Sequence, residues 1–173
     1  MQAEVLDVPS TGSQLESLWM RFVGGTVFIV GVLYRPPRSP ISPVLDDLNY
    51  QLTSQLAKQH PLYVLGDVNI DLLQPTSTGV QQYQTLLDEL SLCQVISTPT
   101  RTTPSTATLI DHVVTSRPEL TSHPRVIDCS FSDHDAVAVN ISIKRARQRA
   151  QTITVRSTRR VDWDGLNFDL LTL

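Results

Sequence analysis

The chain has 173 residues, 40% of them hydrophobic and 18% charged, which is enough for one compact domain with a real core and too little to make two the expectation. No run approaches the ~18 apolar residues that a membrane span needs, and the first ten residues lack the basic-then-apolar layout of a secretory leader, so the chain reads as soluble and intracellular. The net charge of −3 hides an asymmetry. Lys144, Arg145, Arg147, Arg149, Arg156, Arg159 and Arg160 form a basic stretch without an acid, whereas residues 1–143 hold 14 acids against 7 bases. An acidic body suits a site that gathers carboxylates around a divalent cation, and a basic tail suits either contact with a polyanion or a solvated linker.

In chain order, Leu18 to Val23 and Thr26 to Tyr34 read as two strands around a Gly24-Gly25 turn, the second ending in an Arg-Pro-Pro break. Ile41, Val44, Leu45, Leu48, Leu52 and Leu56 recur at helical spacing, with Ser39 or Ser42 available as a cap and Pro40 or Pro43 in the first turn. Pro61 to Gly66 reads as a buried strand, and Val80, Tyr83, Leu87 and Leu90 mark a second helix. Residues 97–108, rich in Thr, Ser and Pro, read as a loop leading to a strand from Leu109 to Thr115. Val126 to Cys129 is a further short strand. From Asp135 to Ile143 apolar residues alternate with small or polar ones, a half-buried strand by its period of two. Beyond Lys144 the pattern lapses into the basic segment, and Val161 to Leu171 begins a further helix.

Four short polar words punctuate this α/β pattern: Tyr34-Arg35-Pro36-Pro37, Gly66-Asp67-Val68-Asn69, Leu109-Ile110-Asp111-His112 and Ser132-Asp133-His134. On a strand, residues i and i+2 point the same way, so Asp67 and Asn69 can project together toward one bound group and polarise a water. Gly-Asp-x-Asn is also ordinary turn chemistry. Ser132-Asp133-His134 precedes the alternating strand, so Asp133 can face a metal while His134 faces a phosphoryl oxygen. A histidine working at a phosphate needs its ring fixed by a carboxylate, and Asp111 is the candidate partner; its plain alternative is a strand-end acid bonding to backbone. His60 and His123 read as surface residues and His112 as a core or hydrogen-bonded histidine. Cys93 and Cys129 read as inert thiols of a reducing compartment, and a zinc site on His112 and His134 lacks cysteine support and regular spacing.

In this order the words resemble those of the endonuclease/exonuclease/phosphatase superfamily with its DNase I-like fold, above all the endonuclease domain of non-LTR (LINE-type) retrotransposon polyproteins. The likeness includes Thr100-Arg101 and covers about residues 15–143. It implies an α/β fold, a partial four-layer sandwich of two β-sheets with outer helices. In this reading residues 1–143 supply the C-terminal two-thirds of the domain, and residues 144–173 supply a basic connector and the start of a further segment. It implies Mg²⁺-dependent cutting of DNA, with Mn²⁺ as a substitute, in which Tyr34 bonds the scissile phosphate and Asp67 orients or activates the attacking water that Asn69 holds. Asp133 would bind the metal, and His134, held by Asp111, would contact the phosphate. Arg101, Lys144, Arg145, Arg147 and Arg149 are candidate DNA contacts. A reverse transcriptase region is an implied partner and the nucleus the implied setting, with no membrane involved.

The family also carries an asparagine and a metal-binding glutamate in earlier strands. No such words precede Leu18, and neither Glu4 nor Glu16 is expected to replace that glutamate. Two other functions fit the same residues: a phosphatase of the superfamily acting on inositol phosphates, and an inactive relic that binds nucleic acid through its tail.

Overall fold

The computed structural model of the chain describes residues 1–144, 159, 162–164, 167 and 171. Within residues 1–144, ten strands, two α-helices and a short 3-10 turn (Pro118–Leu120) occur; the strands and α-helices run in the order β1 (Gln2–Leu6), β2 (Glu16–Val23), β3 (Phe28–Tyr34), α1 (Ile41–Leu56), β4 (Leu62–Asp67), α2 (Thr78–Glu89), β5 (Cys93–Gln94), β6 (Arg101–Thr102), β7 (Ala107–Thr108), β8 (Asp111–Thr115), β9 (Thr121–Ile127) and β10 (Ala136–Ile141). Six strands make one sheet in the order β1-β2-β3-β4-β8-β5; β9 pairs with β10, and β6 with β7. Only β3 and β4 are parallel, because α1 crosses between them; the other neighbours are antiparallel.

The alternation of side chains along these strands builds two cores. Trp19, Ile29, Leu33, Val64 and Val114 face the helices, where Val44, Leu48 and Leu52 of α1 and Val80, Tyr83 and Leu87 of α2 close over them. These are the positions that helical spacing selects. On the opposite face, Val113 packs with Ile96 and Leu109, and the partly buried Leu65, Val126, Val137 and Val139 join them from β4, β9 and β10. The result is an α/β sandwich: helices, a six-stranded sheet and a smaller second sheet, with the sheets not closed on one another.

That second layer covers only part of the first. Leu18, Val32, Leu65 and Val113 lie in one row across β2, β3, β4 and β8. Val113 is fully buried at 0% exposure, whereas Val32 and Leu18 are 51% and 48% exposed. The β2–β3 half of this face is therefore open to solvent.

Two glycines make the central pairing possible. A Cβ on Gly31 would lie 2.5 Å from the Trp19 ring, so the ring occupies the space a side chain would need. Gly66 has φ +146°, and its Cβ would fall 1.8 Å from the Leu33 carbonyl oxygen in the paired strand. The glycine of Gly-Asp-x-Asn is thus required by the close approach of β3 and β4.

The segment before β2 is tied to α1 by a buried acid. Asp47, at 0% exposure, accepts hydrogen bonds from Ser10 Oγ and Ser13 Oγ, both 2.7 Å, and from the Thr11 amide and Gln51 Nε2, both 3.1 Å. Gln51 in turn accepts from the indole N–H of Trp19 at 2.8 Å.

Several local expectations change. A strand, β1, precedes β2 and pairs along its edge. The expected loop at 97–108 contains the β6–β7 hairpin, in which Arg101 pairs with Thr108. Neither serine caps α1: Pro40 holds the N-cap position, and Ser39 Oγ donates instead to the Pro36 carbonyl at 2.7 Å. β9 begins earlier than expected, at Thr121, and slips register opposite Ala138 to Asn140, where Pro124 has no N–H to give and His123 has φ +51°. Beyond Lys144, Trp163, Asp164, Asn167 and Leu171 are helical. Arg145, Arg147 and Arg149 lie outside the described residues.

Candidate active site

Strand register builds the site. Glu16 pairs with Tyr34, Tyr34 with Asp67, and Asp67 with Asp111, so these four residues form one row on the face that the second sheet partly covers. The row lies at the C-terminal ends of β3 and β4, where the chain leaves the sheet and side chains become accessible. Asp67, Asp111 and His134 converge there, with one ligand atom from each lying within 4.8 Å of the others.

His134 reaches the row from the loop before β10. Its Nδ1 lies 3.0 Å from Asp111 Oδ2 and 3.3 Å from Oδ1. Asp111 is held from behind by Thr100, whose hydroxyl donates to Oδ2 at 2.7 Å while accepting the amides of Ile110 at 3.2 Å and Asp111 at 3.0 Å. Thr100 is fully buried. Backbone bonds fasten the two loops together: Thr102 N–H to Asp133 O at 3.0 Å and Asp135 N–H to Thr100 O at 2.7 Å. The expected Asp111–His134 pair is therefore present, with Thr100 as a third member to which the sequence words assign no role.

Asp67 is half-buried at the end of β4. Burial pushes its carboxyl above the ordinary value and the charge of Asp111 adds to this, while the Asn69 amide and His134 pull in the other direction. Asn69 does not continue the strand alternation from Asp67. It has φ +49°, its N–H donates to Asp67 Oδ1 at 3.0 Å, and its Nδ2 donates to the Arg35 carbonyl at 2.9 Å. The two side chains come together through a turn, so the i, i+2 argument gives the right neighbours for a different reason.

Arg35 closes this turn. Its side chain donates to the carbonyls of Asn69 at 2.8 Å, Val68 at 3.3 Å and Ser39 at 2.6 Å, and its own amide donates to the Asp67 carbonyl at 2.9 Å. Burial lowers the guanidinium's pKa, and the charge of Asp67 offsets part of that effect. Tyr34, beside Asp67 in the row, is 42% exposed and free to meet a ligand from solvent.

Asp133 stands apart from the cluster. It is half-exposed and paired with Arg101, whose Nε lies 2.7 Å from its Oδ2; the hydrogen bond from that guanidinium holds its carboxyl below the ordinary value. Lys144 donates its amide to Thr26 Oγ1 at 3.3 Å, at the turn between β2 and β3, and its side chain is exposed. Glu4 pairs with Arg21 at 2.9 Å. His112 faces the helices, with Nδ1 3.2 Å from the Tyr83 hydroxyl and Nε2 3.2 Å from the Leu109 carbonyl oxygen. It is 1% exposed and is not placed to share a metal with His134.

The architecture has clear counterparts among solved structures. The endonuclease domain of TRAS1, a telomere-specific non-LTR retrotransposon, superposes with a TM-score of 0.65 at 15% identity, over 83% of this chain and 81% of that one. A 3′-5′ exonuclease, NExo, from Neisseria meningitidis does so with a TM-score of 0.59 at 17% identity, over 82% of this chain and 71% of that one. The APE2 catalytic domain of Xenopus laevis gives 0.58 at 15% identity, over 78% of this chain and 57% of that one. No protein-family model and no curated protein matches the chain. The chain shares the fold of these structures, the DNase I-like α/β sandwich expected from the order of the sequence words. Its structural neighbours include both nucleases and a 3′ phosphatase. No helix among the described residues is long and apolar enough to cross a membrane.

Proposed function

We propose that the chain hydrolyses phosphodiesters in DNA with a divalent cation, Mg²⁺ first, as the nicking domain of a retrotransposon-type protein. In this reading residues 1–143 belong to the catalytic domain, and the segment from Lys144 onward is a basic connector. The observation that carries the reading is the Thr100–Asp111–His134 chain of hydrogen bonds ending beside the half-buried Asp67.

Each residue has a task that its geometry permits. With Nδ1 bonded to Asp111, His134 has its other ring nitrogen left to donate to a phosphoryl oxygen. Tyr34 donates its hydroxyl proton to the same phosphate. Asp67 accepts the proton of the attacking water, and its raised carboxyl is a better base than an ordinary aspartate. Asn69 has its amide N–H₂ committed to the Arg35 carbonyl, which leaves its side-chain oxygen to accept from that water. A P–O bond to the water oxygen forms and the bond to the leaving sugar oxygen breaks.

The carboxylates of Asp67 and Asp111, brought within 4.8 Å of one another and of His134, form a cluster of excess negative charge that a hard dication would relieve. Asp133 would hold it once released from Arg101, beside this cluster. Bound there, Mg²⁺ supplies charge neutralisation for the developing phosphorane.

The test is a plasmid-nicking assay of the full chain in millimolar Mg²⁺ or Mn²⁺, with inositol phosphates as competing substrates. Nicking that EDTA abolishes and that His134→Ala lowers supports the reading. Equal nicking by wild type and His134→Ala overturns it. Turnover of inositol phosphates alone would establish the phosphatase instead.

A further inference from the structure

We propose that Phe131 is a base-stacking residue that makes nucleic acid, rather than a small phosphoester, the substrate of this site; the inference rests on the phosphodiester reading above. At 90% exposure Phe131 is the most exposed large apolar side chain among the described residues. An isolated exposed hydrophobic residue is ordinary on a protein surface, but the place of this one is not. It lies three residues ahead of His134, and three residues span at most about 11 Å even when fully extended. The Phe131 Cα therefore stands within roughly three base steps of 3.4 Å from that of the dyad histidine, and its side chain is open to solvent there.

The loop that carries it is fastened at several points. Ser132 N–H donates to the Cys129 carbonyl at 3.0 Å, closing a turn with Phe131 at its third position. The Cys129 amide donates to Asp135 Oδ1 at 3.1 Å, and the His134 amide to Ser132 Oγ at 3.0 Å. The turn that presents the ring is thus the turn that places His134, and the two cannot move independently. Ser130 and Ser132 flank the ring, so no apolar neighbour in sequence shelters it.

A cation completes the arrangement. Arg101 forms an isolated antiparallel bridge with His134 and, though its Nε is paired with Asp133 at 2.7 Å, leaves 42% of its side chain exposed. An aromatic ring on the loop of the dyad histidine and a guanidinium on the segment bridged to it match the requirements of a nucleic-acid strand, whose bases stack on the ring while its backbone meets the cation. An inositol phosphate has no π-face and gains nothing from Phe131. The residue thus selects between the two chemistries that the rest of the site permits.

The experiment measures binding of a single-stranded oligonucleotide carrying 2-aminopurine to the full chain in Mg²⁺, in a His134→Ala background so that nothing is cut. Phe131→Ala should bind about tenfold more weakly, the scale of one lost base–aromatic stack, and should lose quenching of the aminopurine. Phe131→Trp should restore both. Because the ring is exposed, no folding defect confuses the comparison, and a matching melting temperature verifies this. Equal affinity and equal quenching by Phe131→Ala would overturn the inference while leaving the phosphodiester reading intact. Failure of the Phe131-containing chain to bind any oligonucleotide, with turnover of inositol phosphates by the wild type, would overturn both.

Discussion

Thr100 gives its only hydroxyl proton to Asp111, because both of its lone pairs are taken by backbone amides. The carboxylate is thereby fixed in rotation before His134 meets it. Thr100→Val, close in shape but without the hydroxyl, should lower kcat for nicking by about tenfold, and Thr100→Ser should restore it. His134→Ala and Asp111→Asn should each cost at least ~100-fold, the scale of a positioned acid–base group. Their double variant should be little slower than either single one, because the pair acts as a unit. Single-turnover kinetics on plasmid DNA measures all five.

Asp67 connects activity to stability. Its folded-state carboxyl lies above the ordinary 3.8 because of burial and the neighbouring charge of Asp111. A carboxyl raised on folding contributes stability below its unfolded pKa and loses that contribution as pH rises through the folded value. At neutral pH its ionisation therefore weakens the fold. Asp67→Asn should raise the melting temperature at pH 7, with the advantage shrinking as pH falls through the raised folded value and gone below 3.8, while abolishing nicking. The acid limb of the wild-type rate profile should lie above the range of a free aspartate. A lower melting temperature for Asp67→Asn at pH 7 would contradict this account.

His112 titrates in the opposite sense. Burial lowers its pKa from 6.5 to about 4. The unfolded chain then takes up a proton that the folded chain refuses, so stability present above pH 6.5 is lost as pH falls toward 4. The drop is roughly 3 kcal/mol at ~1.4 kcal/mol per unit. Urea unfolding between pH 7 and 4 measures it, and His112→Gln should flatten that part of the curve.

The Arg101–Asp133 pair is exposed, so breaking it should change stability little. Its effect should appear in metal binding instead. Arg101→Met releases Asp133 and should tighten Mn²⁺ binding severalfold by calorimetry, and adding Asp133→Asn should remove the gain. Unchanged Mn²⁺ affinity in Arg101→Met would exclude Asp133 from the metal site.

Much of this was legible in the sequence because period and order are local signals. Helical spacing in Ile41 to Leu56 and alternation from Asp135 onward report burial directly. The polar words identified the strand ends, and Asp111 and His134 met as expected. What stayed hidden depends on distant pairings. β1 lacks a buried face of its own and exists because β2 offers it an edge. The β6–β7 hairpin has only two residues per strand and is fixed by bonds to the His134 loop, which no propensity encodes. Thr100 and Arg35 sat inside quoted words, but their roles depend on which oxygen or amide lies across the fold. Asp47 and Gln51 of α1 are polar yet buried, and are satisfied by partners more than 30 residues away.

The row that aligns Tyr34 between Glu16 and Asp67, with Asp111 beyond, has a consequence for how a polyanion can approach. Three inter-strand gaps of ~4.8 Å make a track about 14 Å long, the length of several backbone repeats, with carboxylates at three of its four stations. A DNA strand laid along it meets like charge unless cations intervene. Divalent ions should then be needed for docking as well as for cutting, and affinity for uncleavable DNA should rise with Mg²⁺ before ionic screening at higher salt reverses the trend.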